Sequence, residues 1–149
     1  MSNAIPLKTL TRNIHACLST HREINIFDLW PQDVHGWCEC DRCLCTGTIT
    51  QRHSLIVNAV AQMIQRSFPD ILLEFLAYHH YTVPPPKMTF ERNTVMDFCP
   101  ITRSYANPIY DPSDVSNQAF YEAFTEWLMR DGFFGNIVIF SYYRKYAWR

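Results

Sequence analysis

The sequence has 149 residues and a formal net charge of −1, so its length suits one domain and it carries no excess of basic residues. Without a basic stripe to neutralise phosphates, nucleic-acid binding is disfavoured. No apolar run approaches the roughly 20 residues of a membrane span. We therefore expect a soluble protein that binds neither nucleic acid nor a membrane. No signal peptide is visible, and the compartment is left open.

Residues 1–4 are set apart from the fold, because Ser2-Asn3-Ala4 resembles the remnant of a purification tag. Residues 5–149 are then interpreted as a single domain. Hydrophobic residues make up 48% of the sequence, which is enough for a core, whereas charged residues reach only 18%. This charge content is low for a small domain with a large surface. It predicts that some apolar surface is covered by further chain or by a partner.

Three amphipathic helices are predicted. The first runs from Pro6 to about Thr20, with apolar residues at helical spacing. The second spans Ser54–Phe68 and is stopped by the Pro-Asp pair that follows. The third begins at Asn117, which can cap it, and reaches Arg130.

Four short apolar runs predict strands, namely Ile24–Trp30, Ile71–Tyr78, Thr94–Cys99 and Ile137–Tyr142. The order α-β-α-β-β-α-β and the nearly continuous apolar character favour parallel strands with right-handed crossovers. The predicted fold class is α/β, a partial (β/α) barrel of about four mostly parallel strands with three helices. In such folds the loops at the carboxyl ends of the strands carry the ligand sites.

Three stretches carry a resemblance to a known family. They are Pro31-Gln-Asp-Val-His-Gly-Trp-Cys-Glu-Cys-Asp-Arg-Cys43, Arg103-Ser-Tyr-Ala-Asn-Pro-Ile-Tyr-Asp-Pro112 and Tyr142-Tyr-Arg-Lys-Tyr-Ala-Trp148. Together they resemble an uncharacterised, DUF4838-like family of bacterial proteins found among glycoside-hydrolase-like barrels. The resemblance covers most of residues 7–149. It implies a (β/α)₈-like barrel, of which this chain supplies roughly the C-terminal half, and carbohydrate as the ligand class.

The resemblance does not transfer a reaction. Relatives often carry an acid before the tyrosine pair, where this chain has Ser141. If that acid is catalytic in relatives, its loss puts hydrolysis by this chain in doubt.

Four cysteines fall within eight residues, at Cys38, Cys40, Cys43 and Cys45. Cys40 and Cys43 have the spacing that wraps a zinc ion, and Cys38 could add a third thiolate. His35 or His53 could complete a tetrahedral site. The alternatives are thiols without a metal, or a disulfide in an oxidising compartment. The resemblance places Cys38, Cys40 and Cys43 in the family's pattern, which implies a shared structural role.

Asp33 and His35 directly follow the first strand, where a barrel has its mouth. Asp33 is the candidate catalytic residue, as a general acid or as an acceptor for a sugar hydroxyl, and the alternative is an Asp that caps a turn. His79 and His80 end the second strand and are candidates for a sugar or metal contact. Strand alternation predicts that at most one of them faces a pocket. The alternative is a histidine that bonds the backbone.

The loop after the third strand combines aromatic and planar hydrogen-bonding side chains, a combination suited to sugars. Its candidate substrate-binding residues are Arg103, Tyr105, Asn107, Tyr110 and Asp111. Further stacking surfaces could come from Trp37, Tyr142, Tyr143 and Trp148. Alternatively, the tyrosines of the loop only fix its conformation. We expect Asp33 and Arg103 to border one pocket, because each follows a strand of the same parallel sheet.

Three further carboxylates lie inside predicted strands, at Asp28, Glu74 and Asp97. A buried carboxylate without a partner is costly. Candidate partners are Arg92, Arg103 and Arg144. No catalytic role is assigned to these acids.

The leading hypothesis is a carbohydrate-binding fragment of a glycoside-hydrolase-like barrel, with catalysis unassigned because only Asp33 offers a suitable acid. The alternative is a non-catalytic module whose Cys-rich loop, stabilised by zinc or a disulfide, forms a protein-interaction surface. No cofactor is required beyond that structural zinc. Four strands cannot close a barrel, so exposed edges and an open face predict a homo-oligomer, or cover by the remainder of the barrel.

Overall fold

The computed structural model describes residues 4–33, 36–134 and 136–141. The helices are α1 (Ala4–Thr20), α2 (Asp41–Thr46), α3 (Ile49–Ser67) and α4 (Val115–Leu128). The strands are β1 (Ile26–Asp28), β2 (Leu72–Tyr78), β3 (Thr94–Cys99) and β4 (Asn136–Ile139). A 3₁₀ turn over His79–Tyr81 follows β2. None of the described helices combines the length and the apolar character needed to cross a membrane.

The four strands form one parallel sheet in the order β1-β2-β3-β4. Because the spatial order follows the chain order, each connection advances the chain by one strand, as in the wall of a barrel. Within the described residues, β1 and β4 each pair along one side only, so the sheet is open. The predicted α/β class is confirmed, and the open sheet is consistent with a partial barrel.

The residues of β2 alternate between two faces of the sheet. Leu73, Phe75 and Ala77 are buried, and the residues between them are half-buried. The buried side chains belong to the main core cluster, with which residues of α3 and α4 pack. The other face is named here the open face. In the parallel register it carries Glu74 beside Asp28, Leu76 beside Asp97 and Tyr78 beside Cys99.

The core is built by β2 and β3, by the helices α1, α3 and α4, and by Phe90 of the connection between β2 and β3. Val57 and Val60 of α3 are fully buried, and Trp127 of α4 is 1% exposed. The Trp127 ring lies 6.1 Å from the ring of Phe75 and 5.5 Å from that of Phe90. Burying side chains of this size stabilises the fold by about 1.5–3 kcal/mol each.

No helix connects β2 to β3, although parallel strands need a crossover. The connection is instead fastened onto α3. Asn58 Nδ2 donates to the carbonyl of Thr89 at 2.7 Å, and Asn93 Nδ2 donates to a carbonyl of α3 at 3.0 Å. Phe90 of the connection stacks on Phe75 at 5.1 Å between ring centroids. The crossover therefore runs over the same face of the sheet as the helices.

All three predicted helices begin before the predicted residue, the first at Ala4 instead of Pro6. The helix predicted from Ser54 begins at Ile49, because Thr48 and Gln51 form a capping box. Each backbone N–H of this pair donates to the other side chain, at 2.8 and 3.2 Å. The helix predicted from Asn117 is capped by Asp114, whose carboxylate accepts from the N–H of Ser116 at 3.1 Å. The short helix α2 lies in a segment predicted to be loop.

Candidate functional site

A cavity of about 350 Å³ opens on the open face, at the carboxyl ends of the strands. Its lining residues are Trp30, Pro31, Asp33, Leu76, Tyr78, Tyr81, Cys99, Ile101 and Phe140. Each of the four strands contributes its last residues or the residues that directly follow it. Barrel proteins carry their ligand sites at this end of the sheet.

A second, smaller cavity of about 30 Å³ shares three of these lining residues. Its lining residues are Gln32, Asp33, Trp37, Tyr78, His79, His80 and Tyr81. The structure thus brings together four of the candidates from the sequence, namely Asp33, Trp37, His79 and His80. The Tyr78 hydroxyl donates to Asp33 Oδ1 at 3.2 Å, which joins the end of β2 to the segment after β1. His35 lies outside the described residues.

His79 and His80 are both exposed, and they follow β2 rather than end it. They occupy the 3₁₀ turn, where their ring centroids lie 5.3 Å apart. His79 has a φ of +51°, a left-handed conformation that ends the strand. The expectation from strand alternation, that the two histidines point to opposite faces, therefore does not apply to them.

The two tyrosines of the cavity are protonated at neutral pH. Burial raises the pKa of Tyr81 to about 12, with the ionised form of Tyr78 as a second cause. Burial also raises the pKa of Tyr78, and its hydrogen bond to Asp33 adds to the shift. Each phenol can therefore donate a hydrogen bond to a ligand.

A buried histidine supports the wall formed by Trp37 and Tyr81. His53 on α3 is 4% exposed, and burial lowers its pKa to about 4. Its ring lies 4.7 Å from that of Tyr81 and 6.1 Å from that of Trp37. His53 is thus neutral at physiological pH and packs as part of an aromatic cluster, away from the candidate metal ligands.

The in-strand carboxylates lie together on the open face. Asp28 and Glu74 are register partners, and Asp97 lies on the next strand, one layer closer to the cavity. Burial raises the pKa of Asp97 to about 6, and repulsion from Glu74 and Asp28 adds to the shift. Burial likewise raises the pKa of Glu74, followed by repulsion from Asp28. Trp30 Nε1 donates to Glu74 at 3.3 Å, which connects these acids to the cavity wall.

The arginines expected to pair with these acids contact aromatic rings instead. Arg92 lies over Phe134 at 5.1 Å, and Arg103 lies over Tyr105 at 3.9 Å. Arg144 lies outside the described residues. In the described part of the chain the three carboxylates form no salt bridge. The Oδ1 atom of Asp97 is buried there without a hydrogen-bond partner.

Polar side chains of the loop after β3 form hydrogen bonds within the loop and to the start of α4. Asn107 donates to Asp114 at 3.2 Å. Asp111 accepts from the backbone and hydroxyl of Ser113, and these bonds lower its pKa. Arg103 follows β3 at the same end of the sheet as Asp33, yet among the described residues the larger cavity is lined by Ile101 of this loop and not by Arg103. The predictions for Tyr142 and Tyr143 fall outside the described residues.

Comparison with known proteins identifies the family. The family described as Domain of unknown function (DUF4838) matches residues 1–147. The chain belongs to this family. No curated protein and no solved structure matches it. The family resemblance of the sequence is therefore confirmed, while the description names neither a ligand nor a reaction.

The Cys-rich loop of this DUF4838 chain forms a compact group of thiols. The Sγ atoms of Cys38, Cys40 and Cys43 all lie within 4.8 Å of one another. A tetrahedral zinc ion with Zn–S bonds of about 2.3 Å separates its sulfurs by about 3.8 Å, so small side-chain shifts suffice to bind it. None of the described cysteines forms a disulfide. Cys45, which follows on α2, is outside this group.

The fold holds the thiols in place from two sides. Cys40 caps α2, and its carbonyl accepts from the N–H of Cys43 at 2.9 Å. The carbonyl of Cys38 accepts from the guanidinium of the buried Arg52 at 2.6 Å. The backbone of Cys40 lowers the pKa of Cys38, but hydrogen bonds with the thiols of Cys40 and Cys43 outweigh it, so the net pKa is raised. A bound cation would reverse this mutual effect.

Several residues of the larger cavity were missed from the sequence, among them Trp30, Tyr78, Tyr81 and Phe140. A signal for two of them was present. Trp30 follows Asp28 by two residues, and Tyr78 follows Glu74 by four, so alternation places them on the face of the acids. Tyr81 had no such signal, because the 3₁₀ turn that orients it is not periodic with the strand.

Proposed function

We propose that this DUF4838 chain binds carbohydrate in the cavity at the carboxyl ends of its strands. The observation that carries the proposal is the wall of this cavity, where Trp30, Tyr78, Tyr81 and Phe140 surround a space that also meets the Asp33 carboxylate. Aromatic faces stack on sugar rings, and phenols and carboxylates hydrogen-bond their hydroxyls. The volume of about 350 Å³ falls within the range of about 300–1,000 Å³ typical of small-molecule sites.

In this proposal Asp33 accepts a hydrogen bond from a sugar hydroxyl. Its side chain is exposed, and the Tyr78 hydroxyl already orients it. Hydrolysis would require a second carboxylate about 5–10 Å away, across the glycosidic bond. Asp33 is the one carboxylate among the described residues that line this cavity. The proposal itself concerns binding.

A glycan array followed by calorimetry on the positive glycans tests the proposal. Trp30→Ala removes a stacking surface, and we expect it to weaken binding at least tenfold. Phe134→Ala is the matched control, because Phe134 is an exposed aromatic residue that precedes β4, at the opposite end of the sheet from this cavity. The proposal fails if no glycan binds, or if the two variants weaken binding equally.

We also propose a second function, a structural zinc site formed by Cys38, Cys40 and Cys43. It is supported by the convergence of the three sulfurs within 4.8 Å. The ion would fix α2 and the loop around it, and so would order a surface for a protein partner. The fourth ligand could be a water molecule, because His53 is buried against Tyr81.

Metal analysis of the purified chain tests the zinc site. We expect about one zinc per chain, which Cys40→Ser removes and Cys45→Ser leaves in place. Both cysteines are exposed, so a difference in zinc content between the two variants cannot be caused by a difference in burial. Zinc that never exceeds a tenth of an equivalent after incubation with the ion would contradict the site.

A further inference from the structure

The open face concentrates negative charge just below the proposed sugar cavity. Asp28, Glu74 and Asp97 lie on three adjacent strands, with side chains on one face of the sheet. Asp97 is directly paired with Leu76 and precedes Cys99 by two residues on the same face, and both of these neighbours line the cavity. Glu74 is joined to the cavity wall through the indole of Trp30.

The described residues around this cavity supply no cation to these acids. Among the residues that the structure describes, the lining contains no Lys, Arg or His. Asp97 is 3% exposed, and its Oδ1 atom is a buried acceptor without a hydrogen-bond partner. Neither Asp97 nor Glu74 is among the described lining residues, but both lie next to residues that are, so their charge acts on a bound ligand at short range. The raised pKa values of Asp97 and Glu74 agree with the lack of a described cation beside them, because both shifts are caused by burial and by repulsion between the carboxylates.

The wall of the cavity suits a cation as well. Trp30, Tyr78, Tyr81 and Phe140 present aromatic rings, whose faces attract positive charge. Trp30 and Phe140 meet edge to face, with centroids 6.5 Å apart. A neutral hydroxyl would leave these three carboxylates without a compensating charge from the described residues, and a uronic acid would add a fourth negative charge. An ammonium group donates and neutralises together.

We infer that the carbohydrate bound in this cavity is an amino sugar, whose protonated amine is attracted by the negative charge of Asp97 and Glu74. The inference rests on the proposed function, since it names the chemical class of ligand for the same cavity. Stacking on the aromatic wall holds the sugar ring, and the acids of the open face select the ring that carries a positive charge.

The test compares three forms of the same sugars at pH 7. Methyl glycosides of glucosamine, galactosamine and mannosamine are titrated beside their N-acetylated and their hydroxyl counterparts, with binding followed by NMR. We expect at least one amine to bind tenfold or more tightly than its two neutral counterparts. Asp97→Asn and Glu74→Gln should each reduce that preference to less than threefold while neutral sugars still bind.

Asp70→Asn is the control variant. It also removes one negative charge, but Asp70 is exposed and precedes β2 at the opposite end of the sheet, so the preference should survive. If a neutral sugar binds as tightly as its amine, or if the preference survives both acid variants, the inference is wrong and carbohydrate binding stands. If no sugar of any form binds, the proposed function fails together with the inference.

Discussion

Asp97 destabilises the fold when it is ionised, because its charge is buried beside two other carboxylates. Its pKa is about 6 in the folded chain, compared with 3.8 for an ordinary Asp. Between these two values the folded state binds more protons than the unfolded state, so this contribution to stability falls as the pH rises from about 4 to 6. Above pH 6 the penalty is fully present.

Asp97→Asn changes the free energy of unfolding by different amounts at the two pH values. We expect the change at pH 7 to be more stabilising than the change at pH 4 by on the order of 2 kcal/mol. Urea unfolding at both pH values measures the difference. Asp131→Asn, at an exposed acid, is the control and should show no such difference. A loss of stability in Asp97→Asn that is equal at pH 4 and 7 would mean that the carboxylate is compensated.

His53 gives a pH dependence of the opposite sign. Burial lowers its pKa to about 4 from an ordinary 6.5, so between these values the unfolded state binds more protons. The stability from neutral His53 is fully present above pH 6.5 and is lost as the pH falls towards 4. Between pH 7 and pH 4, protonation of His53 should lower the free energy of unfolding by about 3 kcal/mol, and His53→Phe should abolish this loss. The same variant at exposed His80 should leave the slope unchanged, and an unchanged slope in His53→Phe would contradict the prediction.

At the scale of elements, one buried side chain fastens the long loop after β3 to the start of α4. Asn117 is fully buried and bonds the backbone of Ser104 in both directions, accepting from its N–H at 2.9 Å and donating to its carbonyl at 3.1 Å. Asn117, which was expected to cap a helix, therefore joins the loop to the helix. The capping role is filled by Asp114, three residues earlier in the sequence.

Asn117→Ala should cost about 2–4 kcal/mol, because it leaves buried backbone groups of the loop without partners. Chemical denaturation measures the loss, and faster proteolysis within residues 100–114 should accompany it. Gln118→Ala, at the next and exposed position of α4, should stay within about 0.5 kcal/mol of the original chain. A similar small effect in Asn117→Ala would show that water replaces these bonds.

At the scale of the whole molecule, the open face is exposed at its two margins, along β1 and β4, whereas Val95, Asp97 and Cys99 of β3 are buried there. Its exposed apolar side chains are Ile26, Trp30, Val138 and Phe140, each between 41% and 49% exposed. Among the described residues, both edge strands, β1 and β4, also have one unpaired side. Exposed apolar faces and sheet edges recruit other surfaces. We propose that copies of the chain associate through this face or its edges.

Light scattering at micromolar concentration should give a mass above the 17.6 kDa of one chain. Leu76 and Val138 flank Asp97 on the neighbouring strands. Val138→Lys should shift the mass towards one chain, because it places a charge on the apolar part of the face. The same change at exposed Val115, on α4, should not. A monomer that binds no hydrophobic dye would contradict the proposal and the open face on which it rests.

The sequence by itself determined the class of fold and the three long helices, because apolar periodicity reflects which side of each element is buried. It also determined the position of each strand: β3 coincides with its predicted span and β2 begins one residue later than predicted, whereas β1 is shorter and β4 ends earlier than predicted. The tight spacing of Cys38, Cys40 and Cys43 in the sequence likewise predicts their proximity in the structure, since neighbours in sequence stay close whatever the fold.

The composition of the larger cavity was decided only by the tertiary structure. The parallel register brings Trp30, Tyr78, Cys99 and Phe140 together from four separate strands, and no local pattern encodes which strand lies next to which. The same register gathers Asp28, Glu74 and Asp97 onto one face. Two of the arginines expected to pair with them, Arg92 and Arg103, stack on aromatic rings instead. Partners of a buried charge are chosen by distance in space, and only the assembled sheet sets those distances.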